Sequence, residues 1–321
     1  MKNTDRANAS IIVTGGAGFI GSEFIRNFYH KFKKTYIIDS LTYSGNLGRL
    51  KGVLDSSQVE FIQIDINRIR EVESIFKNID YLVHFAAETH VDRSIKNGFP
   101  FINSNINGTY EVLNLTHQYK KIRTVLVSTD EVYGSIEVGE TDEYSPIKPS
   151  SVYSASKAAA DLLALAQIHT HNQDIIITRC CNNYGPYQEL EKFIPNTLNS
   201  IINGNAVTVY GSGNNVREWI HVSDHCHALF SLLKFGKSGH IYNIGSGRRF
   251  TNIELVELLF GFFSDHSGKI SFVPDRKGHD LRYALNSDKV KRELGWSPKI
   301  TMENGLQQLV ENFKSYQRDL I

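Results

Sequence analysis

TGGAGFIGS, residues 14–22, follows the apolar run Ile11-Ile12-Val13 and opens a stretch with apolar residues at helical spacing. Its glycines read two ways, as GxxGxxG through Gly15, Gly18 and Gly21, or as GxGxxG through Gly16, Gly18 and Gly21. A strand, a glycine turn and a helix in that order bring free backbone N–H groups and the positive end of a helix dipole together, an arrangement suited to a pyrophosphate. Glycines also make ordinary tight turns, so the second strand has to decide between the two. That strand-like run, Tyr36-Ile37-Ile38, ends in Asp39, about twenty residues on, where an acid can bind adenosine ribose hydroxyls and repel a 2′-phosphate. No arginine comes directly after Asp39, so NAD is expected rather than NADP.

Beyond this motif, short β-branched runs at 11–13, 36–38, 61–64, 81–85, 124–127 and 175–178 alternate with helical spacing over 20–32, 68–77, 101–119 and 152–171. That rhythm predicts an α/β fold, a doubly wound parallel sheet of Rossmann type with ligands at the carboxyl ends of its strands. After about residue 180, loops lengthen and Gly and Asn cluster, with no clean linker. Residues 1–180 are expected to form mainly the cofactor-binding sheet domain. Residues 181–321 are expected to form mainly a smaller C-terminal lobe, with some segments returning to the first.

Composition sets limits. The chain has 321 residues, 41% hydrophobic and 21% charged, which fits a compact globular protein. With 35 basic against 34 acidic residues the net charge is +1, so no overall field recruits nucleic acid or a membrane surface. The polar start MKNTDRANAS has no apolar signal core and reads as a tail, and no later window is apolar enough to span a bilayer, so a cytoplasmic location is expected. Cys180, Cys181 and Cys226 form no CxxC pattern and read as buried thiols. His221, His225 and His227 could place metal ligands on one helix face. The preferred reading is a strand end and a helix cap through Ser223 and Asp224, with no metal.

Two further stretches carry chemistry. Tyr153 and Lys157 are four apart at the start of the predicted helix 152–171, so phenol and ammonium share a face, and the cation favours a phenolate usable as a base. In STDEVYG, residues 128–134, Thr129 precedes two acids, Asp130 and Glu131, at the end of a buried strand. Adjacent like charges there are unfavourable unless something uses them. Alternation along a regular strand would also turn Asp130 away from its neighbours, so the strand must end near Ser128 if all three are to face one pocket.

TGGAGFIG, YSASK and NNYGP together resemble the extended short-chain dehydrogenase/reductase family, and within it the nucleotide-sugar 4,6-dehydratases. The narrower likeness rests on DSLTYSGNL (39–47), HFAAETHVDRSI (84–95), STDEVYG, RCCNNYGPYQ (179–188), EKFIP (191–195), VREWIHVSDH (216–225) and DRKGHDLRYAL (275–285). It implies cofactor contacts at Gly15, Gly18, Phe19, Ile20, Gly21, Asp39, Asp65, Ile66, Ala86, Ala87, Ser104, Tyr153, Lys157 and Asn183. It implies nucleotide and sugar contacts at Thr89, Thr129, Asn182, Lys192, Tyr210, Arg217, Asn252, Arg276 and His279. It also implies a homodimer, formed by helices flanking the active-site helix.

In the chemistry this resemblance implies, with dTDP-glucose as substrate, Tyr153 takes the 4-hydroxyl proton, aided by Lys157 and by Thr129 at the same oxygen. Glu131 then removes the C5 proton and Asp130 protonates the departing C6 hydroxyl. A nucleotide-sugar 4-epimerase or decarboxylase would need no acid pair, and a silent NAD-binding protein would need none of the five residues. Departures from the usual pattern gather in the C-terminal lobe and its approach: Leu190 for a common proline, Phe193 for leucine, Glu218 for aspartate, and Leu281 where a second arginine is frequent.

Overall fold

The computed structural model describes residues 8–119, 122–264 and 268–320; most of the polar start, residues 1–7, lies outside them. Seven strands form the main sheet: β1 (Ser10–Thr14), β2 (Lys34–Asp39), β3 (Val59–Gln63), β4 (Tyr81–His84), β5 (Arg123–Thr129), β6 (Ile175–Cys180) and, from late in the chain, Ile241–Ile244. Their order is Ile241–Ile244, β6, β5, β4, β1, β2, β3, and every neighbouring pair is parallel. The order reverses between β1 and β4, which opens a crevice above their carboxyl ends.

Alternation along the strands explains the two helical layers. Val13, Val83 and Val125 face a core with Phe24, Ile25, Leu229 and Leu232 from helices Phe19–Phe28 and Val222–Phe235. Their neighbours Ile12 and Leu82 face a second core with Ile69, Phe76, Val112 and Leu115, and Leu126 joins Leu113 and Ala164. A sheet apolar on both faces needs cover on both.

Two predicted helices differ in kind. Residues 66–78 wind as tight 3-10 turns, broken at Val72 (φ −114°, ψ 24°), not as an α-helix. Ile66, Ile69, Val72 and Ile75 recur every three residues, the period of a 3-10 helix. The stretch predicted over 101–119 begins at Phe99 and runs through a widened π-helical segment, Ile102–Gly108, before regular helix Thr109–Gln118. Helix Val152–His171 has its predicted bounds, fixed by a reciprocal Ser151/Ser154 capping box and by Asn172 in the left-handed region (φ 52°).

The C-terminal part adds a three-stranded sheet, in the order Arg249–Thr251, Val216–His221, Asn182–Tyr184, and a pair formed by Val207–Tyr210 and Ile270–Val273. Trp219, Ile194, Leu198, Leu255 and Leu306 fill a separate core beneath them. Among the described residues no helix is long and apolar enough to cross a membrane.

Candidate active site

The crevice is a cavity of about 440 Å³. One end is the glycine turn. A Cβ on Gly15 (φ +68°) would lie 2.5 Å from the Ala86 nitrogen, and one on Gly21 2.3 Å from the Gly15 carbonyl oxygen. Only glycine lets the turn close against both β4 and its own helix. Beside it, Asp39 accepts from the backbone N–H of Ala17 (2.9 Å) and Leu41 (2.8 Å) on the cavity wall.

Arg49, which no sequence motif marks, sits near Asp39, but its guanidinium donates to Ala17 O, Tyr187 O and the Glu189 carboxylate. All three of its nitrogens are engaged within the protein, so the wall fits a dinucleotide with a free ribose better than one with a 2′-phosphate. All fourteen positions expected to contact the cofactor line this one cavity: Gly15, Gly18, Phe19, Ile20, Gly21, Asp39, Asp65, Ile66, Ala86, Ala87, Ser104, Tyr153, Lys157 and Asn183. The π-helical widening has a local use, because it seats Asn105. That carboxamide holds Glu88 through both its N–H and C=O and also donates to Ser156, fixing the loop after β4 to the helix that carries Tyr153.

At the other end, β5 continues through Thr129 in extended conformation (φ −137°, ψ 152°), one residue beyond the expected end. A 3-10 turn, Asp130–Tyr133, comes next and breaks the alternation. The Thr129 hydroxyl accepts from Glu131 N (3.3 Å) and donates to Asp130 Oδ1 (3.3 Å), on the side of the site that holds the Tyr153 phenol. Thr129, Glu131, Tyr153 and Lys157 line the cavity. Asp130 does not: it is buried behind the wall, and its Oδ2 has no hydrogen-bond partner among the described residues.

The two acids have different surroundings. Burial pushes the Asp130 carboxyl well up, and the charges of Glu131, Cys180 and Glu218 add to this. Burial also raises Glu131, but Arg217, Arg276 and Lys192 oppose the rise. The expectation that Lys157 lowers the Tyr153 phenol is not met. Burial and the Glu131 charge push the phenol up, and the nearby Thr129 hydroxyl works against the rise. Lys157 donates instead to Val127 O (2.8 Å), and burial lowers its own pKa to about 8.

Of the expected sugar and nucleotide contacts, Thr89, Thr129, Asn182 and Lys192 line the cavity. Tyr210, Arg217, Asn252, Arg276 and His279 lie off its wall. The Arg217 guanidinium donates to the carbonyls of Val216 and Asp280 (both 2.8 Å) and stacks 4.5 Å over Tyr283. Arg276 approaches Asp92 at 3.7 Å, and His279 pairs with Asp275 at 2.6 Å. Tyr210 is exposed at a strand end, and Asn252 opens a helix.

The histidines are engaged differently from expectation. The cap of helix Val222–Phe235 is His221 itself, whose Nδ1 accepts from Ser223 N, whereas Asp224 accepts from Lys299 and Ile300 N–H. Asp224 therefore ties two distant segments together, which local sequence does not reveal. His225 pairs with Asn183 (2.9 Å) and His227 with Ser223 O. Among the departures, Glu218 is fully buried and reaches Arg249, Gly247 N and Leu285 N, Phe193 lines the cavity against Trp219, and Leu190 and Leu281 are exposed.

Residues 12–309 match the family model described as GDP-mannose 4,6 dehydratase. The chain belongs to this family of nucleotide-sugar dehydratases. A dTDP-glucose 4,6-dehydratase of Streptomyces niveus is 45% identical over 310 residues, covering 95% of this chain and 92% of its own. The low-salt glycan biosynthesis protein Agl12 of Haloferax volcanii is 43% identical over 304 residues, with coverage of 94% and 98%. Among solved structures, the dTDP-glucose 4,6-dehydratase DesIV of Streptomyces venezuelae, crystallised with NAD bound, superposes with a TM-score of 0.93 at 43% identity, covering 95% of this chain and 97% of its own. The UDP-glucose 4-epimerase of Thermotoga maritima has a TM-score of 0.89 at 27% identity, with coverage of 96% and 99%.

Proposed function

We infer that this chain is a hydro-lyase that converts dTDP-glucose to dTDP-4-keto-6-deoxyglucose and water, with NAD as its cofactor. The observation that carries the reading is the unequal acid pair. Asp130, raised by burial and by its neighbour's charge, suits a proton donor, while Glu131, facing Arg217, Arg276 and Lys192, suits a proton acceptor.

When bound, NAD would supply a hydride acceptor for oxidation at C4 and a hydride donor for reduction at C6. The rest falls to the chain's own side chains. Tyr153 accepts the 4-hydroxyl proton, with the Thr129 hydroxyl holding the same oxygen and Lys157 supplying positive charge nearby. Once C4 is a ketone, the C5 proton is acidic enough for a carboxylate, and Glu131 removes it. Asp130 protonates the C6 hydroxyl as it leaves as water, which requires its side chain to reach the cavity from behind Thr129. The fourteen wall residues hold the dinucleotide. Thr89, Asn182, Lys192, Tyr210, Arg217, Asn252, Arg276 and His279 are assigned to holding the nucleotide and sugar.

Residues 1–180 are assigned mainly to the cofactor and 181–321 mainly to the nucleotide sugar. A homodimer is proposed through the face carrying exposed Ile95, Phe99, Ile102, Tyr110, Val152 and Leu162, an apolar set that a second copy would cover. Light scattering would measure its mass. A cytoplasmic location follows from the reliance on NAD and is supported by three free thiols. The reaction itself is tested by incubating the NAD-loaded protein with dTDP-glucose. A product lighter by one water, with no net NADH, is expected, and a sugar of unchanged mass would favour the epimerase alternative.

A further inference from the structure

Two stretches of backbone on the wall of the cofactor cavity hold uncommon conformations. Among the described residues, three other than glycine have a positive φ: Leu41 (52°), Asn172 (52°) and Tyr187 (65°). Asn172 ends a helix, a usual place for that conformation. Leu41 and Tyr187 are bulky side chains in a region such residues rarely occupy, and strain of this kind persists only where the surroundings enforce it. Leu41 lies between the cavity residues Ser40 and Thr42 in the turn after β2, and Tyr187 directly precedes the cavity residues Gln188 and Glu189.

One guanidinium joins the two stretches. Arg49 is buried, 2% exposed, and donates through Nη1 to the carbonyls of Ala17 (3.0 Å) and Ser44 on the β2 side. Its Nε donates to Tyr187 O (2.9 Å) and its Nη2 to the Glu189 carboxylate (2.9 Å) on the other side. Arg26 supports the same joint, donating to Arg49 O (2.7 Å) with its guanidinium 4.6 Å over the Tyr187 ring. Gln188 carries the connection further into the site, since its amide donates to the carbonyl of Asn183 (2.9 Å). A planar fork of fixed donors suits four acceptors in fixed directions, which the point charge of a lysine does not.

We propose that Arg49 is a positioning residue for the cofactor: with Glu189 it clasps residues 39–45 to residues 187–189, holds the adenosine end of the cavity in its binding shape, and so sets how long NAD stays bound. A wall already ordered before the ligand arrives loses less freedom on binding, and differences of this kind show mainly in the dissociation rate. Retention serves the proposed reaction, because the hydride taken from C4 has to return to the same sugar, and a reduced cofactor lost in between would strand a 4-ketone. That benefit rests on the proposed function, whereas the clasp rests on Arg49, Tyr187 and Glu189 themselves.

The test loads the full chain with NAD, removes free dinucleotide, and follows exchange by the fluorescence of excess NADH as it enters the site. Glu189→Ala opens one side of the clasp and leaves Arg49 its three carbonyls. Exchange should become about tenfold faster, the scale of one lost charge-assisted hydrogen bond. Glu189→Gln keeps an acceptor for Nη2 and should stay within about threefold of wild type, while Arg49→Lys should exchange at least as fast as Glu189→Ala. Melting of the NAD-free protein is measured in parallel. A Glu189→Ala protein that melts lower but exchanges within about twofold of wild type would make the bridge purely structural and overturn the proposal. Glu189→Gln exchanging as fast as Glu189→Ala would remove the hydrogen bond as its basis and overturn it too. No entry of NADH into the wild type would sink the cofactor reading and the clasp together, whereas wild-type exchange that is insensitive to residue 189 sinks the clasp alone.

Discussion

Replacing Asp130 with asparagine keeps the side chain's size and its place behind Thr129 but removes the transferable proton. Asp130 is 2% exposed and its Oδ2 has no partner among the described residues, so its neutral form is the one the fold favours. A general acid contributes about 10²–10⁴ in rate, or roughly 3–5 kcal/mol of barrier, so water loss should slow by that factor. Oxidation at C4 relies on Tyr153 and should stay within about threefold of wild type. Single-turnover mixing with dTDP-glucose separates the steps, with reduced-cofactor absorbance reporting oxidation and quenched mass spectrometry reporting loss of water.

Stability supplies an independent check with a definite sign. The folded-state pKa of Asp130 lies above its unfolded value, so the folded protein binds more protons between the two. Stability from this group is therefore present at low pH and is lost as pH rises through the folded pKa. An asparagine carries no such penalty, so the variant should melt no lower than wild type at pH 7 to 8. Equal loss of oxidation and dehydration, or a variant several degrees less stable, would refute the assignment.

Other consequences can be checked alongside. Lys157 has a folded pKa of about 8, below its unfolded value, so turnover should fall as pH rises through about 8. The stability contribution of this group increases over the same interval, because the unfolded chain then binds the extra proton, so a melting curve distinguishes the two effects. Asp161→Ala leaves the buried Arg179 guanidinium without its 2.9 Å partner and should cost about 3–5 kcal/mol, or roughly 5–10 °C in melting temperature. Gly15→Ala should abolish NAD binding in a fluorescence titration, because its Cβ would lie 2.5 Å from Ala86 N at a positive φ.

Much of the fold is legible in the sequence because it is written locally. Strand runs of β-branched residues, the glycine turn and the Ser151 cap are short-range signals, and helix Val152–His171 has its expected bounds. Residues 66–78 differ from expectation because an apolar spacing of three is hard to tell from one of 3.6 over so few turns. The site is legible as a set of residues that converge on one cavity, but not in its electrostatics. Tyr153 and Lys157 share a helix face as i,i+4 spacing requires, yet the spacing cannot report that Lys157 is drawn to Val127 O by a strand thirty residues earlier. Arg49, Asn105 and Asp224 act through partners far away in sequence, and no local pattern marks them.

The mechanism sets a base at C5 and an acid at C6 against one sugar in one cavity. Turnover of dTDP-glucose in D2O, with the product analysed by mass spectrometry and proton NMR, tests that arrangement at the atoms concerned. The expected product is a 4-keto-6-deoxy sugar, lighter by one water, that carries one deuteron from solvent at C5. A product with no solvent deuterium at C5, or a sugar that has lost no water, would contradict it.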